Sequence, residues 1–84
     1  MAGDIGVTVG ASSTLVLAAN GSRQEAVVCN NSTTQVIYLA FGTSAVVGGG
    51  IRLNPKGDYI TTDTTLAIYA IASASGGRVT GSWV

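Results

Sequence analysis

The sequence predicts an all-β protein: a small antiparallel β-sandwich or barrel of about seven to eight short strands, with an extended N-terminal arm. Short apolar runs recur along the 84 residues, and turn-forming residues separate them. These runs are rich in β-branched and aromatic side chains, which strands favour. No window repeats apolar residues at three- and four-residue spacing without crossing glycines, so no helix is predicted. The chain has the length of one domain.

The strongest predicted strand covers residues 35–42, which contain six consecutive apolar residues. Alternate side chains of a strand point to opposite faces, and here both sets are apolar: Val36, Tyr38 and Ala40 on one face, and Ile37, Leu39 and Phe41 on the other. Both faces therefore need cover. A second layer of this chain or a neighbouring subunit could supply it for the second face.

Residues 1–13 are predicted as the arm, and residues 14–84 as the β-domain. The arm is rich in glycine and small residues, with one apolar alternation at Ile5, Val7 and Val9. These three side chains are candidate interface residues, because a neutral arm could pair with the sheet edge of a neighbour. A short strand and a frayed terminus are the alternatives.

Further strands are predicted over residues 14–18, 23–30, 51–53, 58–62, 66–72 and 78–84. Asn20-Gly21 is a strong turn signal. Asn54-Pro55-Lys56-Gly57 has Pro at the second and Gly at the fourth position of a β-turn. Residues 43–50 form a loop, and the polar start of the strand at Arg23 is predicted to be exposed.

Charge is scarce in this chain: four acids balance four bases, and together they make up 10% of the residues. Zero net charge argues against nucleic-acid binding, which needs clustered basic side chains. No run approaches the roughly 20 apolar residues of a membrane helix, and no signal peptide is recognisable. The low charge indicates a surface that faces other protein, or a Ser/Thr-rich surface that is simply neutral.

Side chains that perform catalysis are few. The sequence has no His, and its single Cys29 lies in an apolar run, which predicts a small buried hydrophobe rather than a nucleophile. One cysteine cannot form a disulfide within the chain and favours synthesis in a reducing compartment. Asp58 and Asp63 could bind Ca²⁺ but lack EF-hand spacing, and Gly48-Gly49-Gly50 lacks the phosphate-loop pattern. We therefore expect no enzyme activity, no cofactor and no metal.

Two aromatic residues complete the candidate interface set. Tyr59 begins a short predicted strand, and Trp83 lies near the end of the chain. Trp is enriched at the centre of protein interfaces. It can equally close the end of a core, and the sequence leaves both roles open for Trp83.

The sequence from about Thr14 to Val84 resembles small β-structured virion proteins of tailed bacteriophages, which decorate heads or form head fibres and adaptor modules. The resemblance is carried by five runs: Leu15-Val16-Leu17-Ala18-Ala19-Asn20, Arg23-Gln24-Glu25-Ala26-Val27-Val28-Cys29-Asn30, Val36-Ile37-Tyr38-Leu39-Ala40-Phe41-Gly42, Gly50-Ile51-Arg52-Leu53-Asn54-Pro55-Lys56-Gly57 and Ala67-Ile68-Tyr69-Ala70-Ile71. The chain is nearly the bare module, which favours a decoration protein over a fibre tip. The resemblance also implies a homotrimer.

Three functions follow as expectations. The first is a capsid decoration or cement protein that binds the major capsid protein, is made in the host cytoplasm and lies on the capsid surface of the virion. The second is a carbohydrate-binding or host-attachment module that uses Tyr59 and Trp83 on a host surface glycan. The third is another structural subunit of the tail or neck.

Overall fold

The computed structural model describes residues 3–84, which form eight strands in two four-stranded antiparallel sheets. The strands are β1 (Gly3–Val9), β2 (Thr14–Leu17), β3 (Ala26–Asn30), β4 (Ile37–Phe41), β5 (Ile51–Leu53), β6 (Tyr59–Thr62), β7 (Ile68–Ala72) and β8 (Gly77–Trp83). Sheet A has the order β1-β8-β3-β6, and sheet B has the order β2-β7-β4-β5. The predicted small all-β sandwich is therefore confirmed.

The core lies between the two sheets and is almost wholly apolar. One set of alternate side chains from each central strand points into it, as the period of two requires. Its largest fully buried members are Ile37, Leu39, Ile68, Val9, Val28, Val79 and Asn30. Trp83 is half-buried and packs against this cluster, so the core role is the one its position supports.

Strand β1 occupies part of the segment in which the sequence suggested an arm. It pairs with β8 along its whole length, from Gly3 opposite Trp83 to Val9 opposite Gly77. Ile5 and Val9 lie in the core, and Val7 packs against it. The apolar alternation of this segment is thus that of a strand with one buried face. Residues 1 and 2 lie outside the described residues.

Both predicted turns are present. The Arg23 amide donates to the Asn20 carbonyl at 3.1 Å, which closes the Asn-Gly turn. In the Pro55 turn, Lys56 adopts φ 70° and Gly57 φ 109°. Their amides donate to the carbonyls of Ser32 and Asn30, both at 2.9 Å, and so tie this turn to the end of β3 and to the residues that follow it.

A glycine is required at position 81, in the middle of β8, because the backbone of the neighbouring strand β3 approaches it closely. Its φ is +152°, and a Cβ at this position would overlap the carbonyl oxygen of Val27 on the neighbouring strand β3. Any other residue would have to push β8 away from β3, so the central pairing of sheet A depends on this glycine.

Arg23 is buried, contrary to the expectation of an exposed strand end. Its guanidinium donates to the carbonyl of Ala18 at 3.0 Å, to that of Thr64 at 3.0 and 3.2 Å, and to that of Leu66 at 2.7 Å. These carbonyls belong to two loops at one end of the sandwich. The planar, forked guanidinium bridges them as a single Lys ammonium could not.

Candidate interaction surfaces

The five predicted interface residues occupy different environments. Ile5 and Val9 are core residues, so their side chains face the interior of the sandwich and not an outer face. Val7 and Trp83 are half-buried beside the core. Tyr59 is 66% exposed at the start of β6 and can contact another molecule. The structure does not bring the five together into one site.

A group of exposed apolar side chains surrounds the loop that connects β4 to β5. We call it the loop patch and define it by four exposed residues: Leu15, Val46, Val47 and Leu66. The sequence indicated it only weakly, by an apolar Ala-Val-Val run inside a predicted loop. Its assembly depends on contacts between distant segments, which no sequence pattern announces.

Hydrogen bonds hold the segments of the loop patch together. The Ala45 amide donates to Ser13 Oγ at 2.9 Å, which brings the loop beside the segment that leads to Leu15. The Gly42 amide donates to the Ala67 carbonyl at 2.7 Å, and the Leu66 side chain lies over Gly42. The β4–β5 loop therefore reaches from one edge of sheet B to the start of β2 at the other edge.

The outer face of sheet B is apolar, as the two apolar faces of the strand predicted at residues 35–42 indicated. Tyr38 lies opposite Ile71, and Ala40 lies opposite Tyr69. Ile71 and the loop residue Ala45 are both buried, yet neither belongs to the core between the sheets. Part of the cover on this second face therefore comes from the chain itself, and the side chains of the loop patch stay open to solvent.

The outer face of sheet A is more polar. In register across it lie Tyr59, Cys29 and Thr80 in one row, and Thr61, Val27 and Ser82 in the next. Cys29 is half-buried on this outer face, because its neighbours Val28 and Asn30 take the inward positions. Its prediction as a buried core residue is therefore wrong.

Two buried polar residues serve the fold. Asn30 Nδ2 donates to the carbonyls of Gln35 and Leu53, both at 2.8 Å, and its Oδ1 accepts from the Ser32 amide at 3.0 Å. Ser32 Oγ in turn accepts from the Arg78 amide at 2.9 Å. In residues 3–84, every buried side-chain nitrogen or oxygen has a hydrogen-bond partner. Asn30 joins β3 of sheet A to β5 of sheet B, which explains its complete burial.

Of the two candidate Ca²⁺ ligands, Asp58 has a structural role. Asp58 Oδ2 accepts from the Asn54 amide at 3.0 Å and so closes the Pro55 turn. Within the part of the chain that the structure describes, no three His, Cys, Asp or Glu side chains form a group that could hold a metal ion. A shallow, open groove of about 330 Å³ lies at the end of β1 and β8 and is lined by Gly3, Asp4, Ser82, Trp83 and Val84.

Comparisons with known proteins found no relative of this chain. No protein family model, no curated protein and no solved structure matches the chain. Among residues 3–84 there is no helix long and apolar enough to cross a membrane. The class that the fold defines is an antiparallel β-sandwich, and residues 3–84 include an exposed apolar patch beside a loop.

Proposed function

We propose that this protein is a non-enzymatic structural protein of a phage virion, a decoration protein that binds the capsid surface and stabilises the shell. Its partners are the major capsid protein and further copies of itself. The observation that carries the proposal is the loop patch. That the partner is a capsid protein is inferred from the resemblance of residues 14–84 to phage virion proteins.

The loop patch has the chemistry of a protein-binding surface. Its four side chains are large and exposed around one tethered loop, and apolar patches of this kind on small soluble domains are typical of interaction sites. Two of its three segments, residues 10–22 and 42–51, contain no charged residue, and the segment that carries Leu66 contains one, Asp63. Binding there therefore costs little charge desolvation, which suits an apolar, uncharged area on a protein shell.

Binding to particles that lack the protein tests this role. Val46→Asp places a carboxylate in the patch and removes a side chain whose burial is worth about 1.5–3 kcal/mol, so we expect affinity to fall about 10- to 100-fold. Tyr59→Asp is the matched control, because Tyr59 is 66% and Val46 62% exposed, and Tyr59 lies on β6 of sheet A whereas Val46 lies in the β4–β5 loop. Capsid binding that survives Val46→Asp unchanged would contradict the proposal.

A second candidate function is glycan binding at Tyr59. Its ring is the most exposed aromatic side chain of residues 3–84 and lies on the outer face of sheet A. The hydroxyl of Thr61 is on the same strand and face, so a ring and a hydrogen-bonding group are close together. A glycan array read with the native chain and with Tyr59→Ala tests it. An array without hits, or hits that Tyr59→Ala retains, would count against this function.

The copy number per particle separates a shell protein from a tail or neck subunit. A decoration protein is present in hundreds of copies, whereas a tail or neck subunit is present in a small multiple of three, six or twelve. Quantitative mass spectrometry of purified particles gives this number, and a low multiple would favour the tail or neck role.

A further inference from the structure

The strand β1 is an edge of sheet A, paired with β8 on one side only. It is seven residues long and keeps an unbroken register with β8 over its whole length. The other edge strands are shorter: β6 and β2 have four residues each, and β5 has three. A bulge also interrupts β2 between Leu15 and Leu17.

This long edge lacks the devices that usually prevent strands from pairing between molecules. Proteins protect their edges with Lys, Pro, bulges or very short strands. β1 contains no Lys, Arg or Pro, and its single charged residue is Asp4. The open side of β1 is therefore a ready template for another strand.

A second β1 fits this template. Antiparallel pairing about a two-fold axis at Gly6 gives every one of the seven residues a partner. Odd-numbered residues then lie opposite odd-numbered residues and even-numbered opposite even-numbered, so the inner faces of the two strands lie on the same side of the joined sheet. Ile5 then lies opposite Val7 on the inner face, and Asp4 lies opposite Thr8 on the outer face. The half-buried Val7 gains apolar cover, and no like charges face each other.

The position of Arg78 adds charge complementarity. A Cβ on Gly6 would lie 2.9 Å from Arg78 Nη2, so the guanidinium extends from β8 across the outer face of β1. In the two-fold register, the partner subunit's Asp4 is the diagonal cross-strand neighbour of Gly6, at a Cβ separation of about 7–8 Å that long side chains span. Each Arg78 can thus pair with the partner subunit's Asp4, twice by symmetry.

We propose that a second copy of this chain docks on β1 in this register, so that two four-stranded sheets join into one continuous sheet. The glycine at position 6 is then explained, because it lets the guanidinium lie flat at the contact. This inference does not rest on the capsid-binding role, since it uses β1 and not the loop patch.

Sedimentation velocity over a dilution series tests the pairing, and we expect a reversible dimer. Asp4→Lys and Arg78→Glu should each raise its dissociation constant about 5- to 30-fold, because each removes two exposed ion pairs. The double variant Asp4→Lys/Arg78→Glu restores both pairs with their signs exchanged and should recover the dimer. Arg52→Glu is the control: Arg52 is also exposed but lies on β5 of sheet B.

Several results would overturn the inference. A single-chain species at every concentration would exclude the pairing. A trimer would exclude the two-fold axis and agree instead with the assembly that the resemblance implies. A double variant as weak as either single variant, or an equal effect of Arg52→Glu, would show that Asp4 and Arg78 do not meet. Failure of this dimer would leave capsid binding by the loop patch untouched.

Discussion

Truncating Leu39 to Ala tests the orientation of the strand around which the core is built. Leu39 is fully buried, and its backbone neighbours are Ile51 on β5 and Ala70 on β7. The substitution removes three carbons from the core, worth about 2.4 kcal/mol at about 0.8 kcal/mol each. The remaining cavity adds to this loss, so we expect a total of about 3–4 kcal/mol.

This loss is large for a chain of 84 residues, whose free energy of unfolding is expected to be about 4–13 kcal/mol. Urea unfolding, followed by the fluorescence of the single Trp83 and by far-UV circular dichroism, measures it. Leu66→Ala is the control: it deletes the same atoms from an exposed side chain and should cost below about 1 kcal/mol. A loss below about 1 kcal/mol for Leu39→Ala would refute its placement between the sheets.

Two further substitutions test the contacts that join the strands. Gly81→Ala should destabilise by at least about 3 kcal/mol, because its Cβ meets the Val27 carbonyl, whereas Gly57→Ala has open space at a similarly positive φ and should cost about 1 kcal/mol. Thermal melts compare the two, and equal losses would contradict the close approach. Asn30→Ala removes the donor to the buried Leu53 carbonyl and to the partly buried Gln35 carbonyl, and should cost about 2–5 kcal/mol in urea unfolding. Asn30→Asp should not rescue it, since a carboxylate cannot donate to them, and full stability of that variant would be the contrary result.

The strands were predictable because their signals are local. Apolar alternation and turn residues located β5 at its observed bounds, 51–53, and placed six of the other strands, β2–β4 and β6–β8, within a few residues. The segment around Ile5 carried the same alternation, but its glycines concealed a strand whose partner, β8, lies more than seventy residues away. Pairing over such a distance leaves no signature in either segment alone.

The surfaces were less predictable because they are assembled from distant segments. The loop patch exists because Ala45 meets Ser13, and neither residue type indicates that contact. The burial of Arg23 was missed for a related reason: its partners are backbone carbonyls, which every residue carries. Tyr59, which the sequence offered as an exposed aromatic candidate, is indeed exposed at the start of β6, while its role as an interface residue stays a prediction.

The chain crosses between the two sheets at every connection except that between β4 and β5. Consequently, neither sheet can form from a contiguous stretch of chain, and we expect folding in milliseconds to seconds, as for other topologies dominated by non-local pairing. During synthesis, β1 emerges first of the eight strands and must wait for β8, which inserts between β1 and β3. Until residues 77–83 leave the ribosome, both sides of β1 are without a partner in sheet A. The nascent chain is then most exposed to pairing with another molecule.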